Sequence, residues 1–416
     1  MKKRLLQYLL LPASLFALLQ VPSAQADSPE DLFSKGKVFG QLRYRYENVD
    51  QAGLAHTTGV ANTLRANLGF ETGTYKDFKA LVELQTVQRL GDDDYNDTVN
   101  GKTTYPTIAD PENNEFNQAW IMWSGLPKTS LKLGRQNIIL DNQRFVGNVG
   151  WRQNDQTYDA GTATFTPVEK LILSYSYVWN INRIFGEHNA IPDYTGANHL
   201  IHGEYTFADW LKIAAYDYLL DIHQKQTLSS QTYGAQATGK VPLVADLKLQ
   251  YLAEYAHQAD YKDSPINFHA SYYHLSPSLL WKGVTLQAGM ESLGGDGANA
   301  FQSPLATLHA FNGWADEFLT TPANGLEDRY GRVGYKLSGL NKWVDGTTFD
   351  AVYHDFNAEN TSADYGTEWN FQVSKTFKTE DFNIKEWTVT AKYADYNADT
   401  LFTDTNKFWL MVDLKF

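Results

Sequence analysis

The chain has 416 residues, is 43% hydrophobic, 14% aromatic and 20% charged, and carries a formal net charge of −13. This aromatic content excludes a disordered chain, the acidic balance argues against a nucleic-acid partner, and the absence of cysteine removes thiolate metal sites, iron–sulfur clusters, cysteine nucleophiles and disulfides. A mean hydropathy of −0.42, with no long apolar run beyond residue 26, excludes a polytopic helical membrane protein.

The N-terminus reads as an address. Lys2, Lys3 and Arg4 precede a mostly apolar stretch from Leu5 to Leu19, and Ala24-Gln25-Ala26 supplies a small-x-small cleavage site. The pattern predicts a secretory signal peptide over 1–26 and export of residues 27–416. Removing its three basic residues would take the net charge from −13 to −16.

Beyond that point the chain alternates with period 2. Val38, Gly40, Leu42, Tyr44 and Tyr46 share one parity, and Gln41, Arg43, Arg45 and Glu47 the other. Leu64, Ala66, Leu68 and Phe70 oppose Arg65, Asn67 and Glu71. Leu247, Leu249, Tyr251 and Ala253 oppose Lys248, Gln250 and Glu254, and Trp387, Val389, Ala391 and Tyr393 oppose Thr388, Thr390 and Lys392. Each segment predicts a strand with one apolar and one polar face.

Eighteen such segments are expected, starting near residues 37, 62, 77, 116, 130, 157, 169, 197, 210, 231, 245, 268, 283, 327, 347, 366, 384 and 406. The connections alternate in length. Those at 49–61, 89–115, 140–156, 181–196 and 293–326 are long, while those at 72–77, 124–129, 167–169 and 208–209 are short; the pattern blurs in the middle. Strands of about 10 residues, even in number, with alternating short turns and long loops predict an all-β transmembrane antiparallel barrel in the bacterial outer membrane. Closure is required there, because an unpaired strand edge cannot be satisfied in hydrocarbon. Leu42, Leu68, Val82, Leu249, Val389 and Val412 should face lipid. No linker or low-complexity tract divides residues 27–416, so one domain is expected.

The last strand adds weight. Phe408, Leu410, Val412 and Leu414 share the parity of the final residue, Phe416. An amphipathic last strand ending on an aromatic resembles the signal read by the bacterial barrel-assembly machinery. That machinery and outer-membrane lipids are the expected partners.

Two segments carry a closer likeness. Gly134 to Ala160 reads GRQNIILDNQRFVGNVGWRQNDQTYDA, and Pro304 to Gly331 reads PLATLHAFNGWADEFLTTPANGLEDRYG. Both resemble the alginate-export family of bacterial outer-membrane porins. The resemblance implies an eighteen-stranded barrel and a pore that passes an anionic polysaccharide, lined by arginines at its constriction. The chain departs from that picture in its acidic charge and in having no arginine between Arg183 and Arg329. Fold therefore carries over more directly than substrate, since lumen residues set selectivity within one barrel type.

The candidate pore-lining or substrate residues are arginines. Arg43, Arg45 and Arg65 lie on polar parities, and Arg332 shares parity with Asp328 and Lys336. A guanidinium binds carboxylate bidentately, so a ring of them would favour anions. Ordinary cross-strand pairing with Asp or Glu is the competing reading. Arg144 and Arg152 lie in the first family segment, which is expected to fold into the lumen, a rigid external loop held by salt bridges being the competing reading. Arg135 shares parity with Leu131 and Leu133, which points it at lipid unless Gly134 marks a bulge or the strand has left the membrane. Ser303-Pro304 predicts the N-cap and first residue of a short helix with Leu305, Leu308 and Phe311 on one face. Phe311, Trp314 and Phe318 would be costly in water, so the 293–326 loop is expected in the lumen or as a cap on the barrel mouth.

Other chemistry is sparse. Asp92, Asp94 and Asn96 match the alternate ligands of a Ca²⁺ loop, but Thr103 replaces the bidentate Glu and the Gly is missing, so a solvated acidic loop with Asp93 and Asp97 is the expected reading. His199 and His202 fall on opposite parities, as do His269 and His274, and no metal role is expected for them. No nucleophile-elbow, metalloprotease or phosphate-loop motif appears, so neither an enzyme nor a cofactor is expected. An outer-membrane lipase would need a Ser–His pair, for which His269 and Ser271 share a strand face. The functional expectation is passive passage of anionic solutes, an oligouronate such as alginate or a small carboxylate. A general porin is the alternative.

Overall fold

The computed structural model describes residues 28–379 and 384–416; the expected signal peptide lies outside the described residues. Past a single helical turn, α1 (Asp31–Ser34), the chain winds through β1 (Lys37–Gln51), β2 (Thr58–Glu71), β3 (Phe78–Arg89), β4 (Asn113–Trp123), β5 (Thr129–Gln136) and β6 (Thr157–Phe165). It continues through β7 (Leu171–Asn182), β8 (Asp193–Ala208), β9 (Leu211–Leu220), β10 (Ser230–Val244), β11 (Leu247–Asp260) and β12 (His269–Trp281). The last six are β13 (Val284–Leu293), β14 (Leu326–Lys336), β15 (Thr348–Asn357), β16 (Asp364–Lys378), β17 (Glu386–Ala398) and β18 (Thr405–Lys415).

Each strand pairs antiparallel with its sequence neighbours, and β1 pairs with β18 from Gln41↔Lys415 to Gln51↔Thr405. The eighteen strands therefore close into one barrel with no free edge. The seam is tied at its end by Phe416, whose backbone exchanges hydrogen bonds with Gly40 at 3.1 and 3.2 Å. A side chain at Gly40 would collide with the Phe416 ring, so glycine here makes room for the terminal aromatic.

The expected inside–outside alternation holds. Leu42, Leu68 and Val82 are exposed on the outer face, and Leu249, Val389 and Val412 share the parity of exposed outward neighbours such as Leu279 and Leu410. The opposite parity is polar and buried: Arg45, Glu47, Arg65, Asn67, Glu83 and Gln85. Among the described residues no helix is long and apolar enough to cross a membrane.

Connections alternate between the two ends of the barrel. β1 and β2 run further than their alternation suggested, so the first long loop contracts to residues 52–57. Residues 90–112, 137–156 and 294–325 are the long segments, all at the same end. The helix expected from Ser303-Pro304 does not form. The segment has only a short 3₁₀ turn, Leu308–Ala310, because Leu305 is buried against the other loop and Gly147 donates to its carbonyl at 2.9 Å. That loop-to-loop bond replaces the local helical one.

Candidate functional site

Strands β1 and β2 set Arg43 and Arg65 directly opposite one another. Arg45 follows two residues on, on the same inward parity. Each guanidinium meets a carboxylate. Arg43 binds Asp413 of β18 at 3.0 Å, Arg45 binds Asp110 at 3.1 Å, and Arg65 binds Asp155 at 2.9 Å. Arg43 and Arg45 also donate to the carbonyls of Gly150 and Trp151. Arg45 lies 4.3 Å from the Trp151 ring centre. Three neighbouring cations thus hold the 137–156 segment, by the carbonyls of Gly150 and Trp151 and by the Asp155 carboxylate.

The arginines of that segment reach other walls. Arg152 binds Glu47 of β1 at 3.2 Å and Asp316 of the 294–325 segment at 3.0 Å. Arg144 binds Glu291 of β13 at 2.5 Å and Asn312 at 3.2 Å. Its guanidinium lies 4.9 Å from the Phe311 ring. Arg332 pairs with Asp350 across β15 through Nε at 2.8 Å and stays the most open of these inward arginines, about one-third exposed. Arg135 keeps the parity of Leu131 and Leu133, but it is not bare to lipid: it forms a two-point pair with Asp159 of β6 at 2.8 and 3.3 Å. Register through Gly134 is unbroken, so there is no bulge at that glycine. Its φ of +122° nevertheless requires glycine, since a Cβ would sit 2.3 Å from the Ala119 carbonyl oxygen.

Several residues that the sequence does not single out complete this assembly. Lys392 of β17 is buried with its Nζ 3.8 Å from the Trp314 ring and 4.2 Å from the Trp151 ring. It donates to His309 Nε2 at 2.7 Å. An ammonium can only donate, so Nε2 accepts and Nδ1 carries the proton given to Asp316 at 2.8 Å. The His309 ring stacks on Trp151 at 3.8 Å. Burial pushes the His309 imidazole down to about 3, Asp316 opposing and Lys392 adding to the fall. Burial works against the Asp316 carboxylate, yet His309, Lys407 and Arg152 hold it well below the ordinary range. On β16, Glu368 accepts the backbone N–H groups of Trp314 and Ala315 at 2.5 and 2.9 Å. Lys392 and Glu368 share the inward parity of their strands, whereas His309 and Asp316 lie in a loop; their partners lie far away in sequence.

The carboxylates of the acidic loop are met by neighbouring cations and backbone amides. Lys102 binds Asp93 at 2.6 Å and Asp94 at 3.5 Å, drawing the Asp93 carboxyl down chiefly by its hydrogen bond. Asp97 accepts the N–H groups of Val99 and Asn100. His199 faces outward, bonded to Tyr175, and His202 faces inward against Asp141. His274 is buried while His269 is exposed and stacks on His257.

The barrel superposes on outer-membrane porins of known structure. Acinetobacter baumannii OccAB3 matches with a TM-score of 0.71 at 15% identity, over 92% of this chain and 99% of that one. Pseudomonas aeruginosa OpdQ gives 0.69 at 16%, over 93% and 99%. Pseudomonas aeruginosa OpdK, solved with vanillate, gives 0.71 at 14%, over 92% and 99%. At such identities the likeness carries the fold. No curated protein sequence matches the chain. Residues 37–270, more than half of the sequence and including the whole first segment Gly134 to Ala160, match the family described as alginate export. The chain belongs to the alginate-export family.

Proposed function

We propose that the protein is a bacterial outer-membrane channel for small anionic solutes, carboxylates and oligouronates among them, which cross by passive diffusion. Segments 137–156 and 294–325 fold across the lumen and form its constriction. The observation that carries this reading is the row Arg43, Arg45 and Arg65 on adjoining strands, with Arg144 and Arg152 brought toward the interior by a loop. Two unit charges 4 Å apart interact by about 4 kcal/mol at an effective dielectric near 20, so clustered guanidiniums act strongly on a solute that reaches them.

Geometry also supports a route to that row. On the side of Phe416, a polar recess is lined by Gln41, Arg43, Glu386, Thr388, Asp413 and Lys415. A carboxylate entering there meets Arg43, whose present partners are the Asp413 carboxylate and the Gly150 carbonyl. Passage is then an exchange of one carboxylate for another, with little net change in hydrogen bonding. The acids paired with these cations, Asp413, Asp110, Asp155, Glu47 and Glu291, oppose the basic row and limit its anion preference. The OpdK structure with vanillate, an aromatic carboxylate, offers a relevant solute class. Arg135 and Arg332 are peripheral to this path: one sits in an outward pair, the other beyond the loop contacts.

Liposome swelling tests the reading. Vesicles carrying the barrel should admit glucuronate faster than a neutral sugar of equal size, and Arg43→Gln with Arg65→Gln should remove the difference. Equal rates for both solutes in the parent protein would instead make it a general porin.

A further inference from the structure

We propose that Asp141, His202 and Glu204 bind one first-row divalent cation of the Zn²⁺ type, which clips the 137–156 segment to the barrel wall. The inference does not depend on which solute crosses the pore.

The three residues come from two elements. His202 and Glu204 are two apart on β8 and share its inward face. Asp141 is delivered from the other side by the 137–156 segment, with a backbone φ of +48° that side chains rarely adopt. One nitrogen and two carboxylate oxygens from these residues all lie within 4.8 Å of one another. Ligands 2.0–2.2 Å from a tetrahedral ion sit roughly 3.3–3.6 Å apart. Glu204 has a flexible stem and can close the remaining distance.

Asp141 supplies the second observation. Its side chain is only 7% exposed and its Oδ2 lies 2.9 Å from His202 Nε2, itself 6% exposed. The other oxygen, Oδ1, is buried with no hydrogen-bond partner. A buried carboxylate oxygen without a donor is costly, and such an atom in a native structure calls for an unseen ion or water. A cation between the three residues would satisfy it. Glu204 binds Lys212 through Oε2 at 3.0 Å, leaving Oε1 outside that bond for the metal.

The donor set selects the ion. One imidazole and two carboxylates suit Zn²⁺, Co²⁺ or Ni²⁺ with water completing the shell, whereas Ca²⁺ takes six to eight oxygens. Coordination through Nε2 requires its lone pair. With Nε2 on the metal, the ring proton sits on Nδ1.

The test uses the full barrel, refolded in detergent micelles after metal removal, titrated with ZnCl₂ by calorimetry and with Co²⁺ by visible absorption. One ion per barrel is expected, retained in excess Mg²⁺. His202→Gln keeps a donor for Asp141 while losing the ligand, and should weaken binding by at least the tenfold to hundredfold seen when even an outer-shell partner is lost. Glu204→Gln, at a half-buried position, provides a second variant should the first fail to fold. Absence of stoichiometric binding, or a folded variant of either kind with unchanged affinity, would overturn the proposal.

Discussion

Arg152 and Glu47 meet at 3.2 Å, with the Glu47 side chain fully buried and Arg152 only 7% exposed. One comes from a loop and the other from the first strand, 105 residues apart. Asp110 and Asp316 also lie within 4 Å of the same guanidinium, so one cation compensates three acids.

Removing that cation should therefore be felt beyond its own contacts. Breaking a buried pair by deleting one partner costs about 3–5 kcal/mol, unless the structure opens and lets water in. For Arg152→Ala the 137–156 segment is expected to loosen while the barrel stays folded. Protease cleavage within 137–156 and a raised single-channel conductance would record this; unchanged values for both would place the loop's anchorage elsewhere.

The His309 contact predicts a pH dependence. An ordinary histidine takes its proton near 6.5, but the buried His309 does so only near 3. Over that interval the unfolded chain binds more protons, so the stabilisation is full above 6.5 and is lost as pH falls toward 3. Protonating Nε2 also breaks the bond from Lys392. Thermal melts of the parent should fall more steeply across this window than those of His309→Gln; parallel slopes would remove His309 as the cause.

Lipid-face positions provide a test of register. Leu68 and Val82 point outward from paired strands, Leu68 opposite Leu84 and Val82 opposite Phe70. Changing either to Arg near the bilayer midplane should cost about 2–4 kcal/mol in refolding equilibria. A harmless substitution there, with a comparable loss at Gln85 on the inward parity, would mean a register shifted by one residue.

Sidedness can be read with a single introduced thiol, because the chain has no cysteine. Asp94→Cys lies on the long-loop end and Lys342→Cys on the short-turn end. A membrane-impermeant maleimide added to intact cells should label the first and spare the second. The reverse pattern would invert the barrel.

The wall was legible because it is periodic. Parity alone places Arg43, Arg45 and Arg65 inward, and the expected strand starts fall within about four residues of those observed. Displacements of that size occur at β2 and β8, where pairing continues past the apolar alternation. The loops were not legible for the opposite reason. Their contacts, such as Arg144 with Glu291, bridge 147 residues of sequence and follow no repeat. Ser303-Pro304 has helix-start chemistry, yet tertiary bonding to the other loop overrides it. His309 gave no signal as an isolated histidine. Only the fold brings Trp151, Lys392 and Asp316 around it.

Anion passage depends on the sign of the field that a solute meets. Reversal potential in a KCl gradient across a planar bilayer measures it directly. A parent channel with anion preference, shifting toward cations in Arg43→Gln with Arg65→Gln and blocked by oligouronates, is the predicted result. A cation-selective parent channel, indifferent to oligouronates and unchanged by those substitutions, would contradict anion passage along the arginine row.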